Sequence, residues 1–358
     1  MNEDCLKLTT YFGERHRVGG RLVADELLDL YGRRGLEVSV LLRGAEGFGL
    51  KHHLRTDRLL TLSEDLPLVS VAVDRRARIE QVRDEVVEAQ PEGVVTLERA
   101  RMLTEDLSPV TLSDGPGEAT KLTVYLGRKE RVGGLPAFRA VCELLHRRGL
   151  AGASVLLGVD GTLRGARERA SFVGRNVDVP LMIIAIGEGE RIGRVLPELS
   201  GLLRRALVTL EQVTICKRDG RLLAPPPTLP GRDERGLALW QKVMVYSAEG
   251  TQHEGMALHV ALVRRLREAR GRGATALRGV WGFHGDHPPH GDRLLGLRRR
   301  VPVVTVIVDT PEGIARTFPL VDEVTRAAGL VTSETVPALT AVHEERRRGG
   351  LRLSAPGR

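Results

Sequence analysis

The sequence predicts an α+β protein made of three tandem βαββαβ units, and three observations carry that prediction. A glycine-rich stretch, Leu42 to Gly49, returns at 277–283 and in reduced form at 156–161. The spacing is constant: Gly44 and Gly279 lie 235 residues apart, as do Tyr11 and Tyr246, while Gly44 to Gly158 and Tyr11 to Tyr125 both span 114. Hydrophobic periodicity also alternates between two and about 3.6 in the same order in each copy.

Each copy opens on a period-two strand carrying Lys and Tyr on one face: 7–13, 121–127 and 242–246. A glycine follows (Gly20, Gly134, Gly255), then a segment of helical spacing, for example Phe138, Val141, Leu144 and Leu145. Cys142 on that helix reads as core packing. A second strand enters the repeated loop and a third leaves it, at 67–74, 180–186 and 302–309. A second helix is expected next, with Pro197 and Pro319 near its first turns, where proline is tolerated. Short strands at 94–98, 207–211 and 330–334 close the copies. This order defines a ferredoxin-like unit, one antiparallel four-stranded sheet with both helices on one face. The apolar remainder of the other face favours packing against neighbouring sheets.

The expected organisation is unit 1 over 1–104, a linker over 105–119, unit 2 over 120–216, a proline-rich linker over 217–239, unit 3 over 240–340, and a disordered basic tail over 341–358. The length, 358 residues, suits two or three cores better than one. With 42% apolar and 28% charged residues the composition is that of an ordinary globular protein. Cys5, Cys142 and Cys216 stand too far apart for a disulfide framework or a paired metal motif. No apolar run approaches the ~20 residues needed to span a bilayer, and the acidic start is no secretory segment, so the expected location is cytoplasmic. The formal charge of +8 owes more to arginine than to lysine, which points to an anionic ligand.

About twenty residues without strand or helix period separate the second and third strands of the first copy, far beyond the usual ~4 to 6. Between 43–60 and 278–295, nine of eighteen positions are identical, where background composition gives roughly one. Glycines free backbone N–H groups to approach an anion, and Arg and His supply charge or donors. The loop therefore reads as an anion cradle. The middle copy keeps Gly158 and Gly161 but has Leu157 for the arginine, Thr162 for the phenylalanine and no histidine, so its site is expected to be weak or lost.

Lys-Leu-Thr-x-Tyr-x-Gly in the first strand, Leu-Arg-Gly-x-x-Gly-Phe-Gly in the loop, Arg-Leu-Leu-x-Leu-Ser-Glu-Asp-Leu-Pro before the third strand, and Val-Thr-Leu-Glu at the end together resemble the PII-like domain of unknown function 190. The resemblance is close over 5–103, good over 240–339 and looser over 120–216. It implies PII-like, ferredoxin-like subunits that assemble as trimers and bind adenine nucleotides such as ATP, ADP, AMP or cyclic AMP between subunits. It also implies a signalling, regulatory protein whose mobile loop reports the ligand to a partner such as a membrane transporter or ion channel. In this chain three tandem units would supply the whole trimer, a monomeric pseudo-trimer. Carried over by motif, the ligand-binding residues are Arg43, Gly44, Gly47, Phe48, Gly49, His52 and Arg58 in unit 1, and Arg278, Gly279, Gly282, Phe283, His287 and Arg293 in unit 3. Lys7, Lys121 and Lys242 could approach a phosphate from the strands. Two intact loops imply no more than two strong sites.

The alternative is a metal-dependent nucleotide or phosphoester hydrolase, with His284, Asp286, His287 and His290 as weak metal ligands, although their spacing matches no strong zinc pattern. Gly187 to Gly193 mimics a dinucleotide fingerprint, but its glycine spacing is one residue too long and a surface turn is the better reading. RNA recognition on the sheet needs stacking aromatics, and aromatics are 3% of the chain, so no specific nucleic acid is expected. No catalytic nucleophile or base pair recurs among the copies, so no catalytic residue is assigned.

Overall fold

A computed structural model describes residues 3–49, 52–56, 65–104, 107, 110, 112, 114–115, 117–169, 179–284, 288–291, 301–343 and 346–355. In the first copy β1 (Glu3–Gly13), α1 (Val23–Arg33), β2 (Val38–Phe48), β3 (Pro67–Arg75), α2 (Arg76–Glu88) and β4 (Gly93–Thr104) follow in that order. The second holds β5 (Glu118–Gly127), α3 (Ala137–Arg147), β6 (Gly152–Leu157), β7 (Asp160–Leu163), β8 (Pro180–Gly187), α4 (Gly189–Leu202) and β9 (Leu207–Arg218). The third holds β10 (Trp240–Ala248), α5 (Leu258–Glu268), β11 (Ala274–Arg278), β12 (Trp281–His284), β13 (Pro302–Asp309), α6 (Pro311–Val324), β14 (Leu330–Val336), β15 (Ala338–His343) and β16 (Arg346–Gly350).

Within each copy the first strand lies between the third and the fourth, and every pairing is antiparallel. The register repeats: Lys7 faces Glu98 and Val73, Lys121 faces Glu211 and Ile186, and Lys242 faces Glu334 and Val308. A one-residue slip would turn the lysines to the helix side, so this register is fixed by which face must be apolar.

Strands also continue from copy to copy. The end of β2 pairs with β11, β12 pairs with β6, and β7 pairs with the start of β2. The fourth strands do the same: β4 pairs with β9, β9 with β14, and β15 with β4. Both series run through all three copies and return to the first. The closing strands are therefore longer than their apolar cores suggest; Gly93–Thr104 and Leu207–Arg218 are twelve residues each because their ends serve a neighbour.

Three cores lie under the helices, one per copy, each built from buried side chains at helical spacing such as Val141, Leu144 and Leu145 on α3. Cys142 is fully buried in one of them, as expected. A further cluster joins Val71 and Val73 of copy one, Met182 and Ile184 of copy two, and Met244 and Val306 of copy three on the helix-free faces. Each side chain of that size stabilises by about 1.5–3 kcal/mol when it leaves water, so the three faces gain by meeting.

Two expectations need correction. Pro197 and Pro319 lie well inside α4 and α6, because those helices begin one or two residues after the third strand, the second of them with Pro311 at its start. The tail is ordered where it is described: β16 pairs with β15, Leu351 is buried against the first core, and the Ser354 hydroxyl donates to the Pro337 carbonyl at 2.8 Å. Apolar Leu351 and Leu353, hidden behind an arginine run, hold it down. The proline-rich linker also packs, with the Gln241 amide donating to the Pro227 carbonyl at 3.1 Å.

Candidate functional site: two seams between copies

Six buried charges come together between the copies, Lys7, Lys121 and Lys242 with Glu98, Glu211 and Glu334, all at most 6% exposed. Each ammonium bridges its own copy's glutamate and another's: Lys7 to Glu98 (3.0 Å) and Glu211, Lys121 to Glu211 (3.1 Å) and Glu334, Lys242 to Glu334 (3.1 Å) and Glu98. Six alternating charges thus form a closed, electroneutral ring. Burial opposes the ionisation of Glu98, but the attraction of Lys242, Lys7 and Lys121 outweighs it and holds that carboxyl below its usual range. Burial likewise opposes the charge on Lys7, and Glu211, Glu98 and Glu334 together hold its ammonium above its usual value. The expectation that the three lysines approach a ligand phosphate is corrected: their donors are engaged by carboxylates in the interior.

The repeated loop also proves to be largely structural at its root. The Arg43 guanidinium donates to Glu14 at 2.8 Å, and Arg278 pairs with Glu249 at 2.9 Å, the same pair 235 residues on. In the middle copy both members differ, Leu157 and Arg128. A side chain at Gly44 would strike Pro67 at 2.7 Å, and one at Gly279 would meet Pro302 at 2.8 Å and the Val155 carbonyl at 2.9 Å. One at Gly47 would strike the Ala274 carbonyl at 2.7 Å, and one at Gly282 the Ala153 carbonyl. These glycines admit the neighbouring copy's backbone, so they sit in a strand ladder rather than cradling an anion. Phe48 is buried in the third copy's core and Phe283 in the second's, each a plug driven into a neighbour. His52 stacks on Phe48 at 5.7 Å, and His146 meets Phe283 edge-on at 5.1 Å.

Beyond each plug opens a cavity between copies. The first, about 540 Å³, lies between copies one and three, lined among others by Tyr11, Phe12, Gly49, Arg55, Trp240 and Arg272. Its cations are engaged: Arg55 with Asp65 at 3.0 Å, and Arg272 with Asp309 at 3.1 Å beside the Trp240 ring, 5.5 Å from its centroid. The second, about 510 Å³, lies between copies three and two, lined among others by Tyr246, Ser247, His284, Arg218, Ser154 and Ile186. The two correspond position by position, since Tyr11 and Tyr246, Pro67 and Pro302, and Gly93 and Gly329 line them alike. Gly49 and His284, where the long loops leave their strands, form part of each wall.

The third seam, between copies two and one, is packed differently among the described residues. Thr162 stands where the plugs stand and bonds the Ser39 hydroxyl at 2.9 Å. Tyr125, the counterpart of the partly exposed Tyr11 and Tyr246, is 1% exposed. Arg167 fastens the seam, pairing with Asp160 at 2.7 Å, Asp25 at 3.3 Å, and Asp29, the last two on α1. Across the seam between copies one and three Arg264 of α5 pairs more loosely with Glu46, at 3.8 Å, and neither lines the cavity.

Arg58, Asp286, His287 and Arg293 lie outside the described residues. His284 and His290 are described, with ring centroids 6.3 Å apart. Sequence reasoning missed Trp240, Arg272, Arg218 and the glutamate ring. The glutamates carried a signal, since Val-Thr-Leu-Glu recurs in register with the lysines, whereas the cavity walls come from strands remote in sequence. Among the described residues no helix is long and apolar enough to cross a membrane.

Comparison with known families agrees with the internal repetition. The model of the DUF190 family, described as an uncharacterized ACR, matches three times, over residues 5–102, 119–215 and 240–338. Those matches cover more than four fifths of the chain, and the protein is a tandem three-copy member of the DUF190 family.

Proposed function

We propose that the three copies are ferredoxin-like units closed into an intramolecular pseudo-trimer, and that the chain is a non-enzymatic regulator binding an adenine nucleotide in two of its three seams. The observation that carries this reading is the pair of matching cavities, about 540 and 510 Å³, against a third seam packed differently, with Thr162, Tyr125 and Arg167. Both volumes fall in the range of small-molecule sites, about 300–1,000 Å³. The pseudo-trimer is supported by the cyclic strand pairing and the cyclic ion-pair ring. Tyr11, Phe12 and Trp240 offer the first cavity flat surfaces for a purine.

Reporting follows from the loop roots. Gly49 and His284 line the cavities and begin the long loops, so a ligand that touches them biases the loops presented to a partner such as a transporter or channel. A thermal-shift panel of ATP, ADP, AMP, cyclic AMP and simple anions tests this. A ligand that binds the folded state raises the melting temperature as its concentration passes the dissociation constant. A rise with at least one adenine nucleotide, exceeding that from simple anions, is expected; no rise with any of the four at millimolar concentration contradicts the reading.

A further inference from the structure

The two open seams have the same frame but different chemistry. In the first, Ala341 faces Val94 across the ladder; in the second, the matching position facing Leu330 is Arg218. Where the first cavity has Phe12, the second has Ser247, 235 residues on. The first cavity's arginines are both held by carboxylates. Arg218 lines the second, its Nε is buried with no hydrogen-bond partner, and its side chain forms no ion pair among the described residues. The Ser247 hydroxyl oxygen on the same lining is also buried without a partner. Asp219, the acid of this lining, is solvent-exposed and forms no ion pair with Arg218. A buried donor without a partner costs about 1–3 kcal/mol, more when charged, unless a ligand satisfies it.

We infer that the seam between copies two and three grips a nucleotide by its phosphate-type oxyanion, through Arg218 and Ser247, whereas the seam between copies one and three grips one by its uncharged, flat apolar base. This rests on the reading of the seams as ligand sites and deepens it: the two seams hold the same class of ligand by different ends. A planar guanidinium suits bidentate capture of an oxyanion, and the adjoining hydroxyl adds a donor. Ile184, Ile186 and Leu330 on the same lining give the rest of the ligand an apolar bed.

Isothermal titration of the full chain with pyrophosphate, ATP and adenosine tests the assignment. Pyrophosphate should bind wild-type protein at one site per chain, and Arg218→Leu should weaken it at least tenfold while leaving adenosine unchanged. Trp240→Ala should leave pyrophosphate unchanged. Ser247→Phe, which copies the first cavity's residue, should also impair pyrophosphate and keeps the test open if Arg218→Leu does not fold. Equal pyrophosphate affinity in wild type, Arg218→Leu and Ser247→Phe, or no pyrophosphate binding by wild type, overturns the inference. ATP binding at two sites indifferent to Arg218→Leu overturns it while sparing the nucleotide reading. Pyrophosphate binding that needs Arg218, without binding of ATP or adenosine, overturns the nucleotide reading alone.

Discussion

At the scale of single residues, the charged ring decides how the molecule responds to mutation and to pH. Removing one partner of a buried pair strands the other's charge, which costs about 3–5 kcal/mol. Lys121→Met, which leaves Glu211 and Glu334 each short of a cation, is therefore expected to lower the urea-unfolding free energy by that amount, and a loss below ~1 kcal/mol would contradict the ring's role. Glu98 and Glu334 titrate lower in the folded state than the ordinary value of 4.5. Their contribution is complete above that unfolded value and is lost as pH falls through the lower folded one. Urea midpoints should accordingly be level from neutral pH down to about 5 and then fall, with a shallower fall in a chain carrying both Glu98→Gln and Glu334→Gln, which also starts from a lower stability at neutral pH. Phe283→Ala, which empties a plug from another copy's core, should cost about 3–5 kcal/mol in the same assay.

The residue scale is also where the sequence speaks most clearly and then falls silent. The retention of Lys7, Lys121 and Lys242 is visible in it, and so is the recurring Val-Thr-Leu-Glu; what spacing does not reveal is that each lysine serves two copies at once. Arg43 with Glu14, Arg278 with Glu249, and the joint departure to Leu157 with Arg128 form a pairwise pattern, and that covariation marks the loop arginines as intramolecular partners. The glycines mislead because a residue needed for close strand approach and one needed to cradle an anion look the same in a sequence.

At the scale of elements, the period-two and helical patterns locate the strands and helices, since each must turn one apolar face to a core. They do not reveal how far strands run on. The ends of β4 and β9 pair with other copies, and a backbone ladder can continue through residues of any hydrophobicity. The tail misleads for a related reason, its arginines masking two anchoring leucines. Deleting 346–355 removes β16 and buried Leu351, and should lower stability by about 1.5–3 kcal/mol for that side chain alone, measured by chemical denaturation against the full chain. An unchanged midpoint would mean that the segment is not held.

At the scale of the whole molecule, two plugs with cavities and one strut imply a deliberate inequality among three copies of one unit. Copy two lacks a plug and carries Arg167 instead, so the seam it shares with copy one is a fastening. The chain should behave as a 39.2 kDa monomer in light scattering, because the cyclic strand pairing is closed within one polypeptide. The central claim, that two seams and not three hold ligand, is tested most directly by the calorimetric stoichiometry of the adenine nucleotide giving the largest thermal shift. Two sites per chain are expected, falling to one when Trp240→Ala disables the first seam; three equivalent sites, or two that survive simultaneous Trp240→Ala and Arg218→Leu, would contradict the account.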